Sequence, residues 1–97
     1  MPIVAVKGLS MSTGHDLCPP TIGITGDSLV FVNGRPVMRL GDLFAEHGCP
    51  DHPVHEQPIA DASKLCFTNG IPIARVTDPI ACGGEVATGD PLVDIHQ

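Results

Sequence analysis

The sequence predicts a small, mostly β protein of short β-hairpins, in three pseudo-threefold-related repeats that close around a common axis. Three observations predict it. FVNGRPVMRLGD (residues 31–42) is written again as FTNGIPIARVTD (67–78), with Phe, Asn, Gly, Pro, Arg and Asp each recurring 36 positions later. Both copies centre on Asn-Gly, the dipeptide favoured in two-residue hairpin turns because both positions take positive φ. A second echo, ITGDSLVFV (24–32) against ATGDPLVDI (87–95), repeats Thr, Gly, Asp, Leu and Val at an offset of 63, and ADASKLCFT (60–68) fills the same slot between them.

A turn followed by a strand therefore begins three times, near residues 25, 61 and 88. LVFVNGRPVMRL (29–40) sets β-branched and aromatic residues on both sides of its turn, and Pro36 lies where a missing N–H is tolerated, at an edge or a strand start. LCFTNGIPIARV (65–76) reads the same way, and the last copy stops before it acquires a hairpin partner. Nothing sustains a helical period; DLFAEH (42–47) alone could form a brief helical turn. A repeat of this size buries its apolar face by packing on its neighbours, so three units should close around one axis.

Composition agrees. A chain of 97 residues is read as a single domain, 1–97, with a core small enough to call for a staple such as a metal, disulfides or a partner. Eleven glycines and ten prolines indicate many tight turns, and aromatic residues are only 3%. The formal charge of −6, with five scattered Lys and Arg, excludes a phosphate-binding stripe and hence nucleic acid. It also disfavours adsorption to anionic lipid, and no apolar run is long enough to span a membrane. The start, MPIVAVKGLSMSTGHD, makes a poor signal peptide, so the expected site of synthesis and residence is the cytoplasm.

Chemistry is confined to the segments between repeats. Cys82 precedes Thr88 by six residues, as His55 precedes Asp61; His47 follows Asp42 by five and Cys82 follows Asp78 by four. His15 precedes Thr25 by ten, its arm carrying an insertion that includes Cys18-Pro19-Pro20. Connections that meet at one end of a threefold body would bring His15, His47, His55 and Cys82 together. Three imidazoles and a thiolate make a closed tetrahedral site of the kind zinc prefers, iron being the alternative metal. His52 and Cys49, in the same HGCPDHPVH segment, compete with His55 for the fourth place. Asp16, Glu46, Asp51 and Glu56 are near enough in sequence to accept from the other imidazole nitrogens. His96 is set aside as terminal.

Four protein ligands leave no coordination position for substrate, and no HExxH motif, phosphate loop or Ser-His-Asp arrangement is present, so the metal is expected to be structural. Two rivals stay open: a small zinc hydrolase, in which one ligand gives way to water, and a disulfide-stapled binding module. A Cys18–Cys49 bridge would serve the latter, while Cys66 reads as a small buried apolar residue.

The duplicated block with its Pro-x-x-Arg (PVMR at 36–39, PIAR at 72–75), together with CGGEVATGD, resembles the PAAR-repeat family from about Gly14 to Ile95. The departures from Pro-Ala-Ala-Arg, Val37-Met38 and Ile73, are apolar exchanges. The resemblance implies a small β-cone that caps the trimeric β-helical spike, VgrG-like or phage, of a type VI secretion system or contractile tail, one tip per trimer. It implies one zinc ion at the apex, held by His15, His47, His55 and Cys82. A chain of this length would be a bare tip, monomeric alone, without an effector extension of its own. It would assist effector or adaptor proteins and meet a target membrane transiently, moving from the cytoplasm to the tip of the assembled spike.

Overall fold

Asn33 and Gly34 hold φ at 52° and 78°, and Asn69 and Gly70 at 50° and 78°. These are the paired positive angles of a type I′ turn, so each Asn-Gly closes a hairpin as its sequence requires. The computed structural model describes residues 2–14, 19–49, 52–81 and 83–95, with the backbone alone over 47–49 and 52–56. The first hairpin joins β2 (Phe31–Val32) to β3 (Arg35–Pro36), pairing Phe31 with Pro36. The second joins β6 (Phe67–Thr68) to β7 (Ile71–Pro72), pairing Phe67 with Pro72. The remaining strands are β1 (Ile3–Val4), β4 (Leu43–Cys49), β5 (His52–Pro58) and β8 (Asp90–Asp94). The described residues contain no helix.

Three backbone segments close a ring at the centre. Ala5 N–H donates to Ala74 O (3.0 Å), Ala74 N–H to Met38 O (2.9 Å) and Met38 N–H to Ala5 O (2.9 Å). All three residues are fully buried. The next shell repeats the cycle: Lys7 donates to Pro36, Leu40 to Pro72 and Val76 to Ile3. Isolated bridges do likewise, linking Val6 to Val37, Arg39 to Ile73 and Val4 to Arg75. Every member of these sets follows one equivalence, in which residues 3–7 match 36–40 and 72–76. This is the pseudo-threefold axis the repeat called for. The overall extents of 37 × 23 × 23 Å, with two equal short axes, suit it.

The third unit is complete, contrary to the expectation of a truncated copy. Its missing hairpin partner is the N-terminal segment. β8 pairs antiparallel with β1, Asp94 opposite Ile3, and Ile95 N–H donates to Pro2 O. Ile3-Val4-Ala5-Val6 thus occupies the place of Pro-Val-Met-Arg and Pro-Ile-Ala-Arg. Arg39 and Arg75 in the first two units clasp Asp42 and Asp78 through their guanidinium groups (Nε to Oδ2, 2.9 and 3.1 Å), and those carboxylates also accept the arginines' own backbone N–H groups at 2.6 and 2.7 Å. In the third unit Val6 N–H donates instead to Ser10 Oγ at 2.8 Å. The backbone geometry is kept while both charges disappear, which is why the sequence repeat did not register there.

The turn that opens each unit is built by one side chain. Asp27 Oδ1 accepts from the N–H of Leu29 and Val30, Ser63 Oγ from Leu65 and Cys66, and Asp90 Oδ1 from Leu92. Each unit is then stitched to a neighbour: Thr68 Oγ1 donates to Asp27 Oδ2 and Asn33 Nδ2 to Asp90 Oδ2. These donors hold both carboxyls below the ordinary aspartate value, the backbone N–H of Leu29 dominating for Asp27 and that of Leu92 for Asp90.

Two small apolar clusters fill the interior. One gathers Met38, Phe44, Ile59, Ile80 and Val86 around the ring alanines; the other gathers Val4, Val6, Val32, Val37 and Ile95, with partly buried Cys66 and Val93 packed on it. Cys66, expected to be a buried filler, lies just before β6 and is only partly buried, packed on the second cluster with a free thiol. No buried side-chain nitrogen or oxygen among the described residues lacks a partner.

DLFAEH is corrected: residues 43–47 belong to β4, not to a helical turn. Ala45 N–H donates to Ile22 O, Ile24 N–H to Leu43 O, and Leu43 N–H to Thr25 Oγ1. With these donors and acceptors committed sideways, no i to i−4 bond can form, and burial of Phe44 in the core fixes the strand.

Candidate metal centre

β4 and β5 form the longest hairpin, seven residues in each strand, and its register pairs two of the expected ligands. His47 pairs directly with His55, while Cys49 pairs with His52. The pairing shifts on both sides of the His47–His55 pair. From Phe44 to His47 β4 advances three residues while β5 advances two, from Gln57 to His55. Beyond the pair β5 carries the extra residue. Bulges of this kind bend a strand and redirect its side chains, and they gather beside functional sites.

Of the candidate ligands, the backbone therefore brings His47 and His55 together, with His52 one pair further toward the turn. His15 and Cys82 lie outside the described residues, as do Cys18, Asp16 and Asp51. Glu46 is exposed on β4 and Glu56 lies on β5.

The neighbours of these positions are tied to one another. Thr13 N–H donates to Glu85 O (2.9 Å), Glu85 N–H returns a bond to Thr13 Oγ1 (3.0 Å), and a Cβ on Gly84 would stand 2.9 Å from Gly14 O. Thr13-Gly14, just before His15, thus runs beside Gly84-Glu85, just after Cys82, so closely that Gly84 has room for no side chain. Ala81 N–H donates to Pro58 O, and Ala60 N–H to Pro79 O, fastening the Cys82 arm to the end of β5.

Gln57 completes the arrangement. Fully buried, its Nε2 donates to Ala45 O and to Thr21 Oγ1, both at 2.7 Å, and Thr21 Oγ1 in turn donates to Ala45 O. Thr21 N–H donates to Ser12 Oγ (3.0 Å), and Ser12 bridges to Val86. One amide side chain therefore locks β5, β4 and the arm that follows His15. Sequence reasoning passed over Gln57 and Ser12; the one signal was a glutamine two residues from a histidine, too common to single out. Among the described residues no three His, Cys, Asp or Glu side chains gather into another candidate site.

Comparison with known proteins agrees with the repeat and the ring. The chain is similar to the NAD(P)(+) glycohydrolase toxin Tse6 of Pseudomonas aeruginosa, 40% identical over 91 aligned residues that cover 87% of this chain and 21% of the toxin. It is similar to the (p)ppApp synthetase toxin Tas1, from another strain of Pseudomonas aeruginosa, with 40% identity over 91 residues, 87% of this chain and 20% of that protein. The chain thus spans about a fifth of the length of these relatives. The family model for the PAAR motif matches residues 21–88, which hold both Pro-x-x-Arg blocks and the hairpins that carry them. With its tandem hairpins closing a threefold ring, the chain belongs to the PAAR-motif family.

Proposed function

We propose that this chain is a non-enzymatic tip that caps the trimeric β-helical spike of a contractile injection system, of the type VI or phage-tail kind, one tip per three spike chains. The observation that carries the reading is the ring of Ala5, Met38 and Ala74, by which one chain presents three equivalent faces. A pseudo-threefold body matches the operator of a trimer, so each spike chain meets a similar surface. At the hairpin end β2, β6 and β8 each pair on one side with a single strand, in two-stranded sheets. Their other edges can accept strands from a partner.

At the opposite end, His15, His47, His55 and Cys82 would hold one structural zinc ion, with His52 the alternative to His55. The directly paired His47 and His55, and the bonds that join the chain beside His15 and Cys82 to each other and to the end of β5, support that donor set. When bound, the metal would supply the cross-link that a core of this size lacks, on the order of 10 kcal/mol in small zinc folds. Such a cross-link would keep a narrow end rigid during puncture of a membrane. Activities such as those in the toxins' names would reside in the four-fifths of those proteins that this chain does not match. Effector and adaptor proteins would be its cargo, and its route would run from the cytoplasm to the spike tip.

Two measurements test the reading. Light scattering of the chain mixed with the C-terminal β-helical fragment of its spike should give one tip per spike trimer; a spike that leaves the chain unbound removes the proposal. Elemental analysis should find about one zinc per chain. A metal-free protein whose melting is indifferent to chelator would remove the metal centre.

A further inference from the structure

Just after the turn that opens each unit, Leu29, Leu65 and Leu92 occupy equivalent positions and are 74%, 69% and 66% exposed. Two residues further along each strand stand Phe31, Phe67 and Asp94; the two phenylalanines are 53% and 52% exposed, and Asp94 is exposed as well. The alternating residues turn inward, Val32 and Ile95 into the apolar cluster and Thr68 onto Asp27. Asp94 holds the same register position in its unit, opposite Ile3, as Phe31 and Phe67 hold opposite Pro36 and Pro72.

The two-to-one pattern restricts what can sit against it. A symmetric trimer offers the same side chain to all three positions, so that side chain has to suit an aromatic ring twice and a carboxylate once. An apolar residue would strip water from Asp94 and return no partner. An acidic one would repel Asp94 and lie against the negative faces of both rings. A short neutral polar group gains little from phenylalanine. A long basic side chain meets all three demands: its cation is attracted to an aromatic face, its aliphatic stem packs on the ring, and its head pairs with a carboxylate. The chain's formal charge of −6 has the sign that draws such a ring of cations in.

We infer, resting on the spike-tip reading, that the spike's end carries one Lys or Arg per chain opposite this ring, two of them over Phe31 and Phe67 and the third paired with Asp94. The three docked orientations are equal by the partner's symmetry. Asp94 makes one of three identical spike chains chemically distinct once the tip is seated.

Calorimetric titration of the C-terminal fragment of the trimeric spike with the chain and with Asp94→Asn, Asp94→Arg and Asp94→Phe tests this, at about 50 mM and about 500 mM NaCl. Asp94→Asn should weaken binding about fivefold at low salt and reduce its salt dependence, and Asp94→Arg should weaken it further. Tighter binding by Asp94→Phe, or an unchanged affinity for Asp94→Arg, overturns the inference and leaves the spike-tip reading standing. Failure of the unsubstituted chain to bind overturns both. Asp94 is exposed, so the variants should melt with the parent, which thermal scans check.

Discussion

Thr77 offers a direct measurement of what the threefold backbone demands of its residues. Its φ is 79°, in the left-handed region, where a β-branched residue is a genuine outlier. The equivalent positions of the other two units are Gly8 and Gly41, with φ of 81° and 86°. All three donate their N–H in the same cyclic pattern, to Gly23, Ile59 and Val86. A Cβ on Gly8 or Gly41 would meet nothing within 4 Å, so space does not distinguish the three sites; conformation does. Left-handed geometry costs an L-residue about 1–2 kcal/mol. Replacement by glycine forfeits about 0.4–1 kcal/mol through the freer unfolded chain. Thr77→Gly should therefore stabilise the protein by about 0.5–1 kcal/mol, and Gly41→Thr should destabilise it by a similar amount. For a domain of this size a change of 1 kcal/mol moves the melting temperature by about 4–8 °C, in opposite directions for the two variants. Urea and thermal unfolding at fixed metal content would measure both. A Thr77→Gly variant less stable than the parent, or a neutral Gly41→Thr, would refute the reasoning.

Other perturbations separate the remaining contributions. Arg75→Ala removes both guanidinium bonds from the nearly buried Asp78 and should cost about 2–3 kcal/mol in urea unfolding, a loss that Arg75→Lys only partly restores. Gly89→Ala would drive a Cβ into the Val4 carbonyl oxygen and crowd Val76, pushing β8 off β1 at a cost of about 1–3 kcal/mol, whereas the equivalent position in the second unit already holds Ala62. Asp27 and Asp90 are held below their ordinary values in the folded chain, so the stability they contribute is present above the unfolded value near pH 4 and is lost as pH falls through the folded one. Asp27→Asn should flatten the fall in urea midpoint between pH 5 and pH 2 relative to the parent; identical profiles would count against that assignment.

The sequence by itself determined the elements whose structure is a local matter. Asn33-Gly34 and Asn69-Gly70 fold as hairpin turns because few other residue pairs accept two positive φ angles, and Asp27 and Asp90 form their turns through bonds to N–H groups two or three residues away. The threefold plan was legible because those devices recur at constant offsets. Of the expected ligands, His47 and His55 meet across one hairpin, while His15 and Cys82 lie outside the described residues.

Tertiary structure decided how the ring closes. Ile3-Val4-Ala5-Val6 completes the third unit through backbone hydrogen bonds, which any non-proline sequence can make, and it carries neither the Arg nor the Asp by which the other two copies were recognised. DLFAEH became strand for the same reason: Ile22, Ile24 and Thr25 engage its backbone from outside its own sequence. Gln57 gained its role from the Ala45 carbonyl and the Thr21 hydroxyl, twelve and 36 residues away. Side-chain codes are written locally and can be read along the chain. The backbone's pairing partners are chosen only when distant segments arrive.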